Sequence, residues 1–176
     1  QVKLAVKRGN ELMIVGSGLR MEDHLLTPTH NVMSGMELYM VTDRDRIRVD
    51  TAQELMLAAD VSAFPVPEAS WSLAGVSRIK MAPLSTEKTV TITSGCDQTY
   101  TVGRLRATEP MGRVHYLAST KPGYSGSAYM DGQSCIGMHN HGGSMAGGYE
   151  ILYLWCRLKH ALSQIPESSE DFLRRL

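Results

Sequence analysis

An excess of charge of either sign is missing from this sequence: eighteen Lys and Arg offset eighteen Asp and Glu, so no global field draws the chain to nucleic acid or anionic lipid. No run approaches the roughly 18 consecutive apolar residues of a membrane span. The N-terminus also lacks the charged, apolar and small-residue order of a signal peptide. The chain is therefore expected to be soluble, to need no membrane contact of its own, and to recognise any partner locally. Cysteine is scarce. Cys96, Cys135 and Cys156 form no CxxC pair and cannot all pair within one chain, which argues against a disulfide scaffold and makes a reduced, intracellular setting the expectation. Internal repeats and low-complexity tracts are absent, and the 16 glycines follow no period, so collagen, coiled coil and disorder are set aside. Gln1 in place of Met leads us to expect a piece excised or trimmed from something longer.

What remains is a chain of 176 residues, 43% apolar, the size of one ordinary domain or two small barrels sharing an interface. Short β-type runs are broken by turn residues over Val2 to Val6, Glu11 to Val15, His24 to Thr27, Met36 to Thr42 and Arg46 to Asp50. Such spacing, roughly 8 to 12 residues, predicts an all-β sandwich or barrel. Thr51 to Ala59 is read as a strand or its approach, being too short for an isolated helix. Residues 64–75, with two prolines and a glycine, and the stretch to Glu87 read as a crossover between halves. Strand patterning resumes at Lys88, and Asp131-Gly132 between Gly126–Met130 and Ser134–His139 predicts a hairpin, because Gly accepts the positive φ of a tight turn. At the end the period changes: Ile151, Leu154, Trp155, Leu158, Leu162 and Ile165 recur at three and four residues, predicting an amphipathic helix that stops before Pro166. The expected divisions are thus 1–76, a linker over 77–87, 88–150, a helix over 151–165 and a polar tail over 166–176.

One segment invites a chemical reading. In Gly123-Tyr124-Ser125-Gly126-Ser127 a serine sits between glycines in a tight turn before a strand, where backbone N–H groups can converge beside a hydroxyl to stabilise an oxyanion. Alone the string also reads as an ordinary glycine-rich loop. A serine hydroxyl needs a neutral imidazole to take its proton, and the imidazole needs a carboxylate to fix its tautomer. Of six histidines, His30 follows a β-run in a small-residue turn, Leu25-Leu26-Thr27-Pro28-Thr29-His30; His24 and His115 fall within strands and His160 on the helix. Of the carboxylates, Asp60 in Ala58-Ala59-Asp60-Val61 has small apolar neighbours and is expected to be partly buried with a partner, while Asp43, Asp45 and Asp50 stand among arginines.

Taken together, LLTPTHNV, AADVSAF and TKPGYSGSAYMDGQSCIGMH resemble the His, Asp and Ser motifs of trypsin-like proteases. The order His30, Asp60, Ser125 is that of chymotrypsin. The short separations of 30 and 65 residues resemble compact viral enzymes, and the chain is most similar to the serine proteases of sobemovirus and polerovirus polyproteins. Thr120, Gly137-Met138-His139 and Trp71-Ser72-Leu73-Ala74-Gly75-Val76 add to that likeness, which spans about residues 12–155. The resemblance implies two antiparallel Greek-key β-barrels, a chymotrypsin-like double barrel, with a C-terminal helix. His30 as general base, Asp60 as its orienter and Ser125 as nucleophile would meet between the barrels, with the N–H groups of Gly123 and Ser125 as the oxyanion hole. Ser127 and Pro28 depart from the commoner Gly and Ala at those places.

The same resemblance implies that Thr120 and His139 line the pocket for the residue before the scissile bond, with glutamate preferred there and a small residue after it. A hydroxyl and an imidazole each donate to a carboxylate. Asn140 or His141 is expected to assist. The family's polyprotein context implies a polypeptide substrate, a neighbouring genome-linked protein, VPg, and action in the host cytoplasm on membranes reached through upstream segments. No cofactor is expected. Glu167 before Ser168 in the tail has the form of a processing site. Competing readings are a metal site on His139-Asn140-His141, which lacks a third-ligand motif, a cellular trypsin-fold protease of the bacterial stress type with small aliphatic specificity, and a non-catalytic trypsin-fold binding module.

Overall fold

The computed structural model describes residues 1–164; Ile165 and the tail with its Glu167-Ser168 pair lie outside the described residues. The chain opens on a hairpin of β1 (Val2–Arg8) and β2 (Glu11–Met21). Then follow β3 (His24–Thr27), β4 (Leu38–Val41), β5 (Arg46–Val49), β6 (Leu55–Ala58) and β7 (Val61–Pro65). These seven strands form one sheet in the order β5-β4-β1-β2-β3-β7-β6. Its end strands β5 and β6 do not pair, so the first barrel is a half-barrel rather than a closed one. The sequence suggested that β2 would end at Val15. Instead it runs on through Gly16, whose place admits no side chain because a Cβ there would lie 2.3 Å from the Ser125 carbonyl oxygen.

Alternation sorts the inward side chains. Leu4, Val6, Leu38, Met40, Phe64 and Trp71 fill the half-barrel. Trp71 belongs to α1 (Glu68–Ala74), a short helix in the stretch expected to be an irregular crossover. Pro67 fixes the backbone just before its first turn, and Gly75, at φ +68°, closes it in the left-handed conformation. Pro67 and Gly75 therefore bound a helix, and the fully buried Trp71 anchors it.

The second half is a closed barrel of β8 (Glu87–Thr93), β9 (Tyr100–Thr108), β10 (Arg113–Leu117), β11 (Ala128–Asp131), β12 (Ser134–His141) and β13 (Gly147–Glu150), ordered β10-β13-β12-β11-β8-β9. The β11–β12 hairpin turns at Gly132, φ +58°, as the Asp-Gly pair predicts. Val90, Ile92, Leu105, Tyr116, Tyr129 and Ile136 fill the interior. The final helix α2 (Ile151–Ser163) matches the three-and-four period. Its Ile151, Leu154 and Leu158 join Leu19, Leu57 and Met138 in a third core built from both halves. Full burial of each such side chain contributes about 1.5–3 kcal/mol, so α2 ties the two halves together. The Gln1 amide does the same at the other side, donating to the Thr93 carbonyl (3.1 Å) and accepting from the Ala128 N–H (2.9 Å). The three cysteines are free thiols.

Candidate active site

β3 delivers Pro28 and then a single 3₁₀ turn, Thr29–Asn31, that lifts His30 out of the half-barrel toward the second barrel. The turn between β6 and β7 carries Asp60. Its carboxylate accepts twice from His30: Oδ2 lies 2.6 Å from Nδ1, and Oδ1 2.9 Å from the backbone N–H. Two contacts on one residue fix both ring and carboxylate. On the far side of the ring, Nε2 lies 2.6 Å from the Ser125 Oγ. The three side chains thus form one unbroken line, although they come from sequence positions 95 residues apart at the extremes. About 40% of the Asp60 side chain is exposed, so it is paired but only partly buried.

Ser125 follows a second 3₁₀ turn, Pro122–Tyr124. The two flanking glycines are required by close approach. At Gly126, φ +87°, a Cβ would meet the Ser17 carbonyl oxygen at 1.8 Å, and at Gly123 it would meet the Ser94 Oγ at 2.5 Å. The Ser125 carbonyl is held from the half-barrel by the Ser17 N–H (2.9 Å) and the Asn31 side-chain amide (3.2 Å). Asn31, next to His30 and nearly fully buried, therefore braces base against nucleophile; nothing in sequence distinguished it except that adjacency.

The oxyanion hole expected from Gly123 and Ser125 is not open in this conformation. The Ser125 N–H donates to the Pro122 carbonyl at 3.2 Å, closing the 3₁₀ turn. Proline at the head of the turn, with its φ preset, favours that tight closure.

Thr120, His139, Asn140 and His141 all line an open cleft of about 560 Å³ that also contains His30 and Ser125. The Thr120 hydroxyl stands over Gly142, 2.9 Å from where a Cβ there would lie. His139 is 2% exposed, and its Nδ1 lies 2.5 Å from the Tyr129 hydroxyl. Burial, with the nearby His141 and His30 adding to it, pushes the His139 ring down to about 4. Burial also holds the Tyr129 phenol well above its usual range. The Tyr129 hydroxyl has no other hydrogen-bond partner among the described residues, so its proton finds an acceptor only in Nδ1 of a neutral ring, the tautomer that carries the His139 proton on Nε2. Tyr129 was missed in sequence, although the Asp131-Gly132 hairpin register, which pairs it with Gly137, placed it near His139. Asn140 takes a second part besides lining the cleft: its Nδ2 donates to the Asp60 carbonyl at 2.8 Å. Among the described residues no group of three or more His, Cys, Asp or Glu comes together to hold a metal ion.

The two-layer β architecture with a His, an Asp and a Ser meeting at its seam is the fold of chymotrypsin-like serine proteases. Among solved structures, the chain is similar to the serine protease domain of the Sesbania mosaic virus polyprotein, at 20% identity and a TM-score of 0.71, covering 94% of this chain and 93% of that one. It is similar also to a structure concerning aromatic interactions that drive the coupled folding and binding of the intrinsically disordered Sesbania mosaic virus VPg protein (21%, TM-score 0.72, 87% of each chain). A bacterial likeness is the active form of the Rv3671c protease from M. tuberculosis (15%, TM-score 0.64, 95% of this chain and 82% of that one). No family model and no curated protein sequence matches the chain.

Proposed function

We propose that this chain is a viral serine endopeptidase that processes a polyprotein by an acyl-enzyme mechanism, cutting after glutamate and before a small residue. The observation that carries the reading is the continuous Asp60–His30–Ser125 line, with both side-chain links at 2.6 Å. His30 Nε2 takes the Ser125 proton as Oγ attacks the substrate carbonyl carbon. Asp60 holds the resulting imidazolium. The imidazolium then protonates the departing amine, and water, deprotonated by the same ring, releases the acid.

Charge on the tetrahedral oxygen needs donors, and the Ser125 N–H is occupied by Pro122. The Pro122 carbonyl and the Gly123 N–H belong to one peptide plane. A single rotation of that plane removes the acceptor from the Ser125 N–H and turns the Gly123 N–H inward, so substrate binding is coupled to a change at one peptide unit. In the pocket, the Thr120 hydroxyl and the neutral His139 Nε2–H supply dipolar donors to the substrate carboxylate, with Asn140 beside them. This polar set favours glutamate over the small aliphatic residues of the bacterial alternative. We further propose that a VPg segment adjoins the protease in its polyprotein, and that the protein acts in host cytoplasm on membranes held by upstream segments. No helix among the described residues is long and apolar enough to cross a membrane.

The test is a peptide library carrying Glu, Gln, Val or Arg before a small residue, incubated with the protein and with Ser125→Ala and read by mass spectrometry. Cleavage after Glu that vanishes in the variant is the expected result. Cleavage after Val would overturn the pocket, and no cleavage of any peptide would overturn the enzyme.

A further inference from the structure

Asp60 is one of three described non-glycine residues with positive φ, at +60°. Left-handed backbone is unfavourable for most residues with a Cβ, Asp and Asn entering it singly where local bonds allow, and such a conformation persists where its surroundings over-determine it. Part of those surroundings is local, since Asp60 is the second residue of the turn that pairs Ala58 with Val61 and its carboxylate is held by His30; the rest comes from the other half of the molecule. β6 is an end strand of the half-barrel, so its outward carbonyls have no strand to pair with. The Leu57 carbonyl accepts from the Arg157 Nε at 2.7 Å, the Ala59 carbonyl from the Tyr149 hydroxyl at 2.8 Å, and the Asp60 carbonyl from the Asn140 amide at 2.8 Å. The Thr29 N–H, 3.1 Å from the Asp60 carbonyl, adds a bond from the half-barrel itself. Tyr149 is buried, at 3% exposure, and its ring is stacked against Tyr153 (5.9 Å, 8° between planes) with the Arg113 guanidinium 4.4 Å from its centre. Its hydroxyl is thus presented by a fixed ring.

From this geometry we propose that Tyr149, with Arg157 on the nearby Leu57 carbonyl, is a positioning residue for Asp60: its hydroxyl holds the carbonyl just before Asp60 and so keeps the carboxylate in line with His30. The inference rests on the triad reading above. Asp60 carries its carboxylate on a short side chain, so the direction of that group follows its backbone. Releasing the Ala59 carbonyl lets the 59–60 peptide relax toward negative φ, which carries Oδ2 away from Nδ1. The second barrel and α2 would then do more than pack against the half-barrel, since they complete its catalytic carboxylate.

Tyr149→Phe keeps the ring and removes only the donor. We expect kcat to fall about 3- to 10-fold, the range that one ordinary hydrogen bond supports, with KM within about twofold. The acidic limb of the pH–rate profile should move to lower pH, because a misaligned carboxylate stabilises the imidazolium less. The low-field proton resonance of His30 Nδ1–H should weaken or shift, a signal that does not depend on turnover. Tyr153→Phe, which keeps the stack and alters no bond to the 57–60 carbonyls, should leave all three at wild-type values. Unchanged kcat, limb and resonance in Tyr149→Phe would overturn the proposal, as would a lowered Tm with those three unmoved, since that is a merely structural role. Failure of the triad reading looks different: Asp60→Asn would then leave rate and resonance untouched.

Discussion

Replacing Tyr129 by phenylalanine deletes one oxygen from the centre of the second barrel and tests how the pocket reads its substrate. Tyr129 is fully buried, and its ring packs at 5.2 Å from Tyr116 and edge-on to His139 at 5.7 Å, contacts that phenylalanine retains. What is lost is the proton given to His139 Nδ1. The variant leaves a buried nitrogen without a donor, a penalty of about 1–3 kcal/mol. The imidazole escapes that penalty by moving its own proton to Nδ1 or by turning, and either change withdraws the Nε2–H from the cleft. The substrate carboxylate then loses a charge-assisted hydrogen bond of about 1.5–3 kcal/mol, which corresponds to a loss of roughly 10- to 150-fold in kcat/KM for glutamate peptides. Peptides with alanine in place of glutamate never used that donor and should change little. The assay is kcat/KM for matched Glu and Ala peptides on both proteins, with Tm measured alongside. An unchanged Glu-to-Ala ratio in Tyr129→Phe would refute the assignment of His139 as the donor.

Two further consequences follow from single positions. Gly126→Ala places a methyl where the Ser17 carbonyl already stands, at φ +87°; the left-handed backbone alone costs about 1–2 kcal/mol, so we expect peptide cleavage to be abolished and the urea midpoint lowered, and wild-type cleavage would contradict the seam described between the halves. For pH, the His139 ring is depressed in the folded state to about 4, below its ordinary value near 6.5, so the unfolded chain binds the proton first and stability is lost as pH falls from about 6.5 toward 4, by about 3 kcal/mol if this group acted alone. Denaturant titrations of wild type and His139→Gln across that range should diverge, with the variant showing the flatter dependence.

Legibility in the sequence followed the range of the interactions. The Asp-Gly turn of β11–β12 and the three-and-four period of α2 are local signals, and they appear where the residues place them. Ser125, His30 and Asp60 were singled out because each chemical role restricts residue type and setting, and the structure brings those three side chains into one line. Residues 64–75 were read as a crossover between halves, and the structure finds the end of β7 and then α1 there, because Trp71 supplied a burial energy that periodicity over seven residues does not display. Tyr129, Asn31 and Tyr149 escaped notice for another reason: each acts through one atom on a partner that only the assembled sheets supply. The Tyr149 bond to Ala59 spans 90 residues of sequence. The Pro122 carbonyl on the Ser125 N–H is equally invisible, being a choice between two orientations of one peptide plane.

The central claim is that Ser125 is a nucleophile activated by His30, and covalent labelling tests it without assuming any substrate. Intact-mass spectrometry after treatment with a fluorophosphonate should show one adduct per chain, located by peptide mapping on Ser125, absent in Ser125→Ala and formed far more slowly in His30→Ala. Equal labelling of wild type and Ser125→Ala, or no adduct on wild type under conditions that label a known serine protease, would contradict it.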